Sequence, residues 1–432
     1  MEFQTLKQSH LKRNIIIGVV VVAIISAIVL NFTRAKYRTT QSIPLVNGTI
    51  NYSLADLNIV ALYIDGVEAN ELDSSKTYTL DTTQSTCTYK DGSEIDNLTL
   101  NYDSTTKAFS ITPYTTKGTK CTLYFEEYKV PAKDIILANK TISTRSNFSS
   151  TLTTNTTGTI YQAQDDDGTT YYFAGNPSDN WVKWAGFYWR IVRINGDGTI
   201  RLIYNGTSNS QTGSGTKIQT STFNSSWNDN MYVGFKYTSG NPHGTGTNSM
   251  ILRVLNIWYS SNLARHADDI DMNAGFCNDR TPTSGSGTGT SATNYAAYGR
   301  LYYNKTPSFR CSNSSDLFTV SSSNKGNKAL EYPIGLITAD EVAYAGGVVG
   351  SSNQNQSYYL YTGEHYWTMS PLSFYSSSYA YVFFVSSNGS LGNDIGGMNV
   401  NSTADVRPVV NLKADVQISS GNGSSGNPYV IS

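Results

Sequence analysis

The sequence predicts an α+β protein built in several parts: a membrane helix at the N-terminus, a small all-β domain, and a larger C-terminal domain with two short helices among strands. Three observations carry this. An uncharged apolar stretch runs from Ile15 to Phe32. Short β-branched and aromatic runs, punctuated by Gly, Asn and Asp, fill most of the chain beyond it. Apolar residues fall at helical spacing in two places in the C-terminal half. At 432 residues the chain exceeds a typical single domain, and each candidate domain is long enough to bury a core.

The Ile15–Phe32 stretch reaches roughly 27 Å as a helix at about 1.5 Å per residue, enough to span a bilayer core. Lys7, Lys12 and Arg13 precede it and Arg34, Lys36 and Arg38 come after it, so flanking charge does not set orientation. The cysteines do. Cys87 and Cys121, and Cys277 and Cys311, form two equally spaced pairs, each inside one candidate domain, as disulfides on the oxidising side would be. Residues 1–39 therefore read as a cytoplasmic stub and single-pass anchor, with the bulk extracellular. A cleaved signal peptide is the alternative, but Arg34 and Lys36 crowd the weak cleavage candidate near Ala35. Reduced buried thiols are the alternative to bridges; zinc is disfavoured, because no pair has C-x-x-C spacing and only His266 lies near Cys277.

Residues 40–128 alternate β-type runs with turn signals: NIVALYIDG, KTYTL, TCTYKDG, LTLNYD, KAFSITPY and KCTLYFEEY. They predict a β-sandwich of Ig-like architecture, serving as a stalk. Residues 129–156, rich in Thr, Ser and Asn after Pro131, read as a polar linker. In residues 157–432, WVKWAGFYWRIVRI, Asn195-Gly196-Asp197-Gly198 and TIRLIY give a strong hairpin signal. Ile251, Val254, Leu255 and Trp258 after Ser249 predict one helix; Thr338-Ala339-Asp340-Glu341 with Gly346 after it predicts another with a capping box. Segments 206–222 and 281–295 read as polar loops.

Composition excludes whole classes of partner. Charged residues are 15% of the chain against a usual figure of about 25%, and formal net charge is −1, which leaves no basic field for nucleic acid. His243, His266 and His365 are scattered, with no metal-binding spacing, and Glu364-His365 alone is weak ground for acid/base chemistry. SGSGTGTSATN lacks the Gly-Lys-Ser/Thr of a phosphate loop. Asp165, Asp166, Asp167 and Gly168 resemble the start of a calcium loop without its closing Glu. Trp227-Asn228-Asp229 matches a calcium-lectin triplet without its companions. No metal, cofactor or catalytic set is expected.

The richest stretch lies near the C-terminus. Between Leu372 and Asp405 there are eight Ser, three Tyr, four Asn and four Gly, the set favoured in antibody paratopes. Tyr supplies amphipathic contact area at low entropic cost, and the small polar residues supply adaptable hydrogen bonding. Around it stands a frame: Trp367-Thr368-Met369-Ser370-Pro371, Phe374, Ala380, Val382-Phe383, Val385, Gly389, Leu391 and Val406-Arg407-Pro408-Val409-Val410-Asn411-Leu412-Lys413. This frame resembles the variable region of target proteins of bacterial diversity-generating retroelements. In that family the end of a C-type-lectin-like domain, related to the formylglycine-generating-enzyme fold, is rewritten by reverse transcription with errors at template adenines. An Asn codon altered only at its adenines cannot become Lys, Glu, Gln or Trp, and none of these occurs from Leu372 to Val406. Met398 departs from that pattern.

The resemblance, which spans Thr159 to Ser432, implies a cell-surface binding protein of receptor or adhesin type with a variable segment over 372–405. Its ligand would be a protein or glycan outside the cell. The implied contact positions are Leu372, Ser373, Tyr375, Ser376, Ser377, Ser378, Tyr379, Tyr381, Phe384, Ser386, Ser387, Asn388, Ser390, Gly392, Asn393, Asp394, Gly396, Gly397, Asn399, Asn401, Ser402 and Thr403. Trp367, Phe374, Val382, Phe383 and Val385 read as core, and Arg407 as a residue that fixes a loop. Alternation along AYVFFV does not assign Tyr381 and Phe384 to one face. The rival readings are a formylglycine-generating-type oxidase, which needs Cys277 and Cys311 as free thiols, and a passive adhesive stalk.

Overall fold

A computed structural model describes residues 41–44, 57–113, 118–210, 212–375, 379–392 and 397–431. The chain divides into two compact units, Met1–Lys129 and Val130–Ser432, and β-structure dominates both. The membrane segment expected over Ile15–Phe32 lies outside the described residues, and no described helix is long and apolar enough to cross a membrane.

In the first unit every expected β-run becomes a strand. Leu57–Ile64 and Thr119–Glu127 pair in parallel, flanked by Val67–Ala69, Tyr78–Leu80 and Thr86–Tyr89. Gln41–Pro44, Ala108–Thr112 and Thr99–Asp103 make a second sheet. Along Thr119–Glu127 burial alternates with period two, so Cys121, Leu123 and Phe125 face inward. They meet Phe109 and Ile111 of the other sheet in one core. Cys87 and Cys121 stand directly opposite each other on neighbouring strands and are bonded.

In the second unit, Phe187–Ile194 and Ile200–Tyr204 form the hairpin expected about Asn195-Gly196-Asp197-Gly198, and Trp181–Trp184 makes a further hairpin on the other side of Phe187–Ile194. Its tight turn needs positive φ at Ala185 and Gly186. These strands belong to a nine-stranded sheet; a seven-stranded sheet contains Tyr366–Phe374, Ala380–Val385, Gly397–Asn399 and Thr403–Val406. A single large core joins them. The helix Met250–Asn262 presses Ile251, Leu252, Leu255 and Tyr259 into that core, with Val254 and Trp258 packed at its margin. Ser249 caps it by accepting the Leu252 N–H at 3.2 Å. Ser249→Ala is expected to cost about 1 kcal/mol in urea denaturation, the usual value of an N-cap. The second helix, Ala339–Ala345, carries the reciprocal Thr338–Glu341 capping box and ends at Gly346 with φ 121°.

The linker reading of 129–156 is corrected, and the unit boundary moves to Lys129. Pro131 starts a helix over Ala132–Ala138, whose Ala132 and Ile136 enter the main core. Thr141–Ser143 then adds a parallel strand beside Thr159–Gln164. Arg145 donates to the Ala343 and Tyr344 carbonyls at 3.1 and 2.8 Å, and Phe148 and Leu152 pack against Tyr172 and Tyr344. The polar composition misled because this segment's hydrogen bonds are made to the body of the unit. Ala132, Ile135 and Ile136, at helical spacing after Pro131, were the overlooked signal.

Candidate ligand-binding surface

Tyr366–Phe374 is buried along its whole length. It pairs antiparallel with Ala380–Val385, with Phe374 opposite Ala380 at one end and Tyr366 opposite Val385 at the other. Two of its polar residues are satisfied internally: Thr368 Oγ1 donates to the Phe383 carbonyl at 2.7 Å and Ser370 Oγ accepts the Ala339 N–H at 2.9 Å. Below it Arg407, fully buried, donates to Tyr204 O, Leu360 O and Asn205 Oδ1 at 3.2, 3.3 and 2.8 Å, as expected of a residue that fixes a loop. The hairpin is thus a rigid support.

The loop at the Phe374–Ala380 end projects tyrosines. The Tyr375 N–H donates to the Tyr379 carbonyl at 3.3 Å, and each side chain is 38% exposed. Tyr381 is half-buried, edge-on to Tyr375 at 5.4 Å and to Tyr379 at 6.3 Å. Across the sheet it faces Asn399, whose side chain is half-buried like those of Asn401 and Ser402, while Thr403 is exposed. Burial, and then Tyr375 and Tyr379, push the Tyr381 hydroxyl pKa upward.

Six positions expected to contact ligand are corrected. Leu372, Ser373 and Phe384 are buried within the two strands, and Ser390, Gly392 and Gly397 are also buried. The physical reason is that both faces of this hairpin are covered, so inward and outward positions no longer alternate. A second correction concerns unity. Ser386, Ser387 and Asn388 form the turn at the far end of Ala380–Val385, roughly 20 Å from the tyrosine loop by strand length. They are tied down there: the Ser387 N–H donates to His365 Nδ1 at 3.1 Å, and Asn388 Nδ2 to the Ser351 carbonyl at 3.1 Å. Ser376, Ser377, Ser378, Asn393, Asp394 and Gly396 lie outside the described residues.

The fold brings in aromatic residues that local sequence does not place here. Trp227, 38% exposed, stacks on Tyr379 at 6.2 Å, and its carbonyl accepts the Ala380 N–H at 2.8 Å. Its neighbour Asp229 is occupied in capping, accepting the Met231 N–H at 2.9 Å. The one-turn helix Ala296–Tyr298 widens into a π turn over Gly299–Asn304, stacking Tyr298 on Tyr302 at 5.0 Å and leaving Tyr303 prominent. The i, i+4 spacing of Tyr298 and Tyr302 was the available signal.

A small polar cavity of about 80 Å³ lies elsewhere in this unit, bordered by Asp165, Arg193, Arg201, Asp279, Arg300, the Cys277–Cys311 bridge and Glu341. Its charges pair off: Arg193 with Asp165 at 2.8 Å, Arg300 with Asp279 and Asp340 at 2.8 and 2.9 Å, and Lys325 with Asp167 at 2.7 Å. The Asp166 carboxylate accepts the Cys311 N–H. The calcium-like triplet is thus engaged by cations and amides, and Cys277 and Cys311 are joined to each other. Comparison with family descriptions, curated proteins and solved structures returns no match.

Proposed function

We propose that the Val130–Ser432 unit is a ligand-binding head of C-type-lectin-like architecture, and that its C-terminal segment is the diversified surface of a retroelement target protein. In this reading the first unit is an Ig-like stalk, an N-terminal helix anchors the chain in the cell membrane, and the bulk faces outward, where the two disulfides are at home. The head binds a macromolecular ligand without chemistry.

The observation that carries the reading is the contrast within one hairpin. A strand buried at every position delivers a loop whose tyrosines stand half in solvent. Adaptable aromatic contacts on an unyielding support are what a changeable recognition surface requires.

The test is genetic. Sequencing the locus in close relatives should show replacements concentrated at Tyr375, Tyr379, Tyr381 and Asn399, sparing Leu372, Ser373 and Phe384. A near-copy of the coding stretch for Trp367 to Arg407 should lie close by, with adenines at the mismatches and a reverse-transcriptase gene beside it. Substitutions spread evenly along the head, with no such copy, would overturn the reading.

A further inference from the structure

Both stems of the tyrosine loop are fastened to one stretch of chain that lies far from it in sequence. Ala380, buried at the end of the loop, is held from two sides: its N–H donates to the Trp227 carbonyl at 2.8 Å, and its carbonyl accepts the Val400 N–H at 3.1 Å. The Asn224 N–H donates to the Val400 carbonyl at 2.9 Å, so residues 224–227 grip Ala380 directly and through Val400. On the other stem, Phe374 pairs with Thr293 of the short strand Thr293–Tyr295. That strand returns to the same stretch, where the Tyr295 hydroxyl donates to Asn230 Oδ1 at 2.8 Å.

Asn230 is fully buried, and its whole amide is engaged. Nδ2 donates to the Thr288, Gly289 and Ser291 carbonyls at 3.3, 3.0 and 2.7 Å, and its main-chain N–H donates to the Gly289 carbonyl at 2.8 Å. None of these bonds involves Tyr375 or Tyr379. A buried amide with every group matched fixes the chain around it, because any displacement strands donors or acceptors away from water.

From this geometry we infer that Asn230 is the positioning residue of the recognition loop: it sets the place of the Trp227 carbonyl on one stem and of Thr293–Tyr295 on the other, and so the spacing between them. The inference rests on the ligand-binding reading of the segment and supplies the means by which a loop of changing side chains keeps one backbone course. The bonds at Ala380 run from main chain to main chain, so they survive replacement of Tyr375 or Tyr379. Asn230 lies outside residues 372–405, beyond the reach of the proposed copying process.

Amide exchange in the full chain, read at Tyr375, Ala380 and Gly389, tests this. Tyr295→Phe deletes only the hydroxyl that meets Asn230 and should speed exchange at Tyr375 and Ala380 about tenfold, as expected when a buried acceptor loses its partner. Gly389, in the turn at the far end of Ala380–Val385, should keep its rate. Asn230→Ala should repeat the pattern more strongly; if that variant does not fold, Tyr295→Phe decides. Tyr379→Ser should alter exchange at Ala380 by less than about twofold, since the main-chain bond remains. An equal rise at Gly389 would reveal general loosening of the unit and overturn the positioning role, as would an unchanged rate at Ala380 in Tyr295→Phe. Loosening of Ala380 by Tyr379→Ser to the same degree would show that the loop is held by its own side chains, with the same consequence. The comparison of the locus in close relatives judges the binding reading separately. Replacements spread evenly along the head would end that reading and leave the exchange result standing, whereas varied loops above a freely replaced Asn230 would end the positioning role alone.

Discussion

Glu341→Gln is expected to destabilise the Val130–Ser432 unit by about 3–5 kcal/mol, the cost of leaving a buried ion unpaired. Glu341 is 3% exposed. One carboxylate oxygen takes Arg201 Nε at 2.5 Å and Arg193 Nε at 3.1 Å, and the other accepts the Thr338 N–H at 2.9 Å. Arg201 is itself buried, so a neutral amide strands its guanidinium away from water. A Gln NH₂ would also confront a donor at the position where the carboxylate accepts. Thermal or urea unfolding checks this, with Thr338→Ala as a control that removes only one cap contact, about 1 kcal/mol. A loss as small as the control's would show that the buried charges contribute little net stability.

The same group sets a pH dependence. Burial opposes the Glu341 charge, but Arg201, Arg193 and the Thr338 N–H outweigh it and hold the carboxyl below the usual glutamate range. A carboxyl depressed in the folded state gives stability that is present above its unfolded pKa of about 4.3 and lost as pH falls through the folded value. The wild-type unit should therefore lose stability below about pH 4 more steeply than Glu341→Gln does.

What the sequence made legible was local. Strand runs, the hairpin around Asn195-Gly196-Asp197-Gly198, the Ser249 cap and the Thr338–Glu341 capping box are each decided within a few residues of chain, where backbone sterics and short-range hydrogen bonds act. What escaped was made by distant residues. Arg193 meets Glu341, and Arg280 meets Asp316 at 2.7 Å, deep in the protein, across sequence separations of 148 and 36 residues. Trp227 reaches Tyr379 only through the sheet. Segment 129–156 looked like linker because hydrogen-bonding Thr and Asn are common to loops and to chain that lines a larger body.

Leu372 and Tyr375 lie three residues apart in one Ser- and Tyr-rich segment, and they should respond to the same substitution in opposite ways. Leu372→Asn is expected to cost about 4–6 kcal/mol, because it removes a fully buried aliphatic side chain and leaves an amide with no partner in the core. Phe384→Asn should behave alike. Tyr375→Asn and Tyr379→Asn should each cost under about 1 kcal/mol, since they forfeit only partial ring contacts at the surface. The four variants, compared by chemical denaturation in the full chain, separate a composition argument from a structural one. Composition treats the whole segment as paratope; burial divides it into positions that hold the hairpin and positions that are free to vary. The division bears directly on the proposed diversification. A mutagenic copying process that reached Leu372 or Phe384 would yield mostly unfolded heads, so a template serving this protein should lack adenines in the first two places of those codons and carry them at Tyr375 and Tyr379. Tolerance of Asn at Leu372 would show instead that the hairpin adapts around its own core, and the exposed loop would then have no special claim to be the site of recognition.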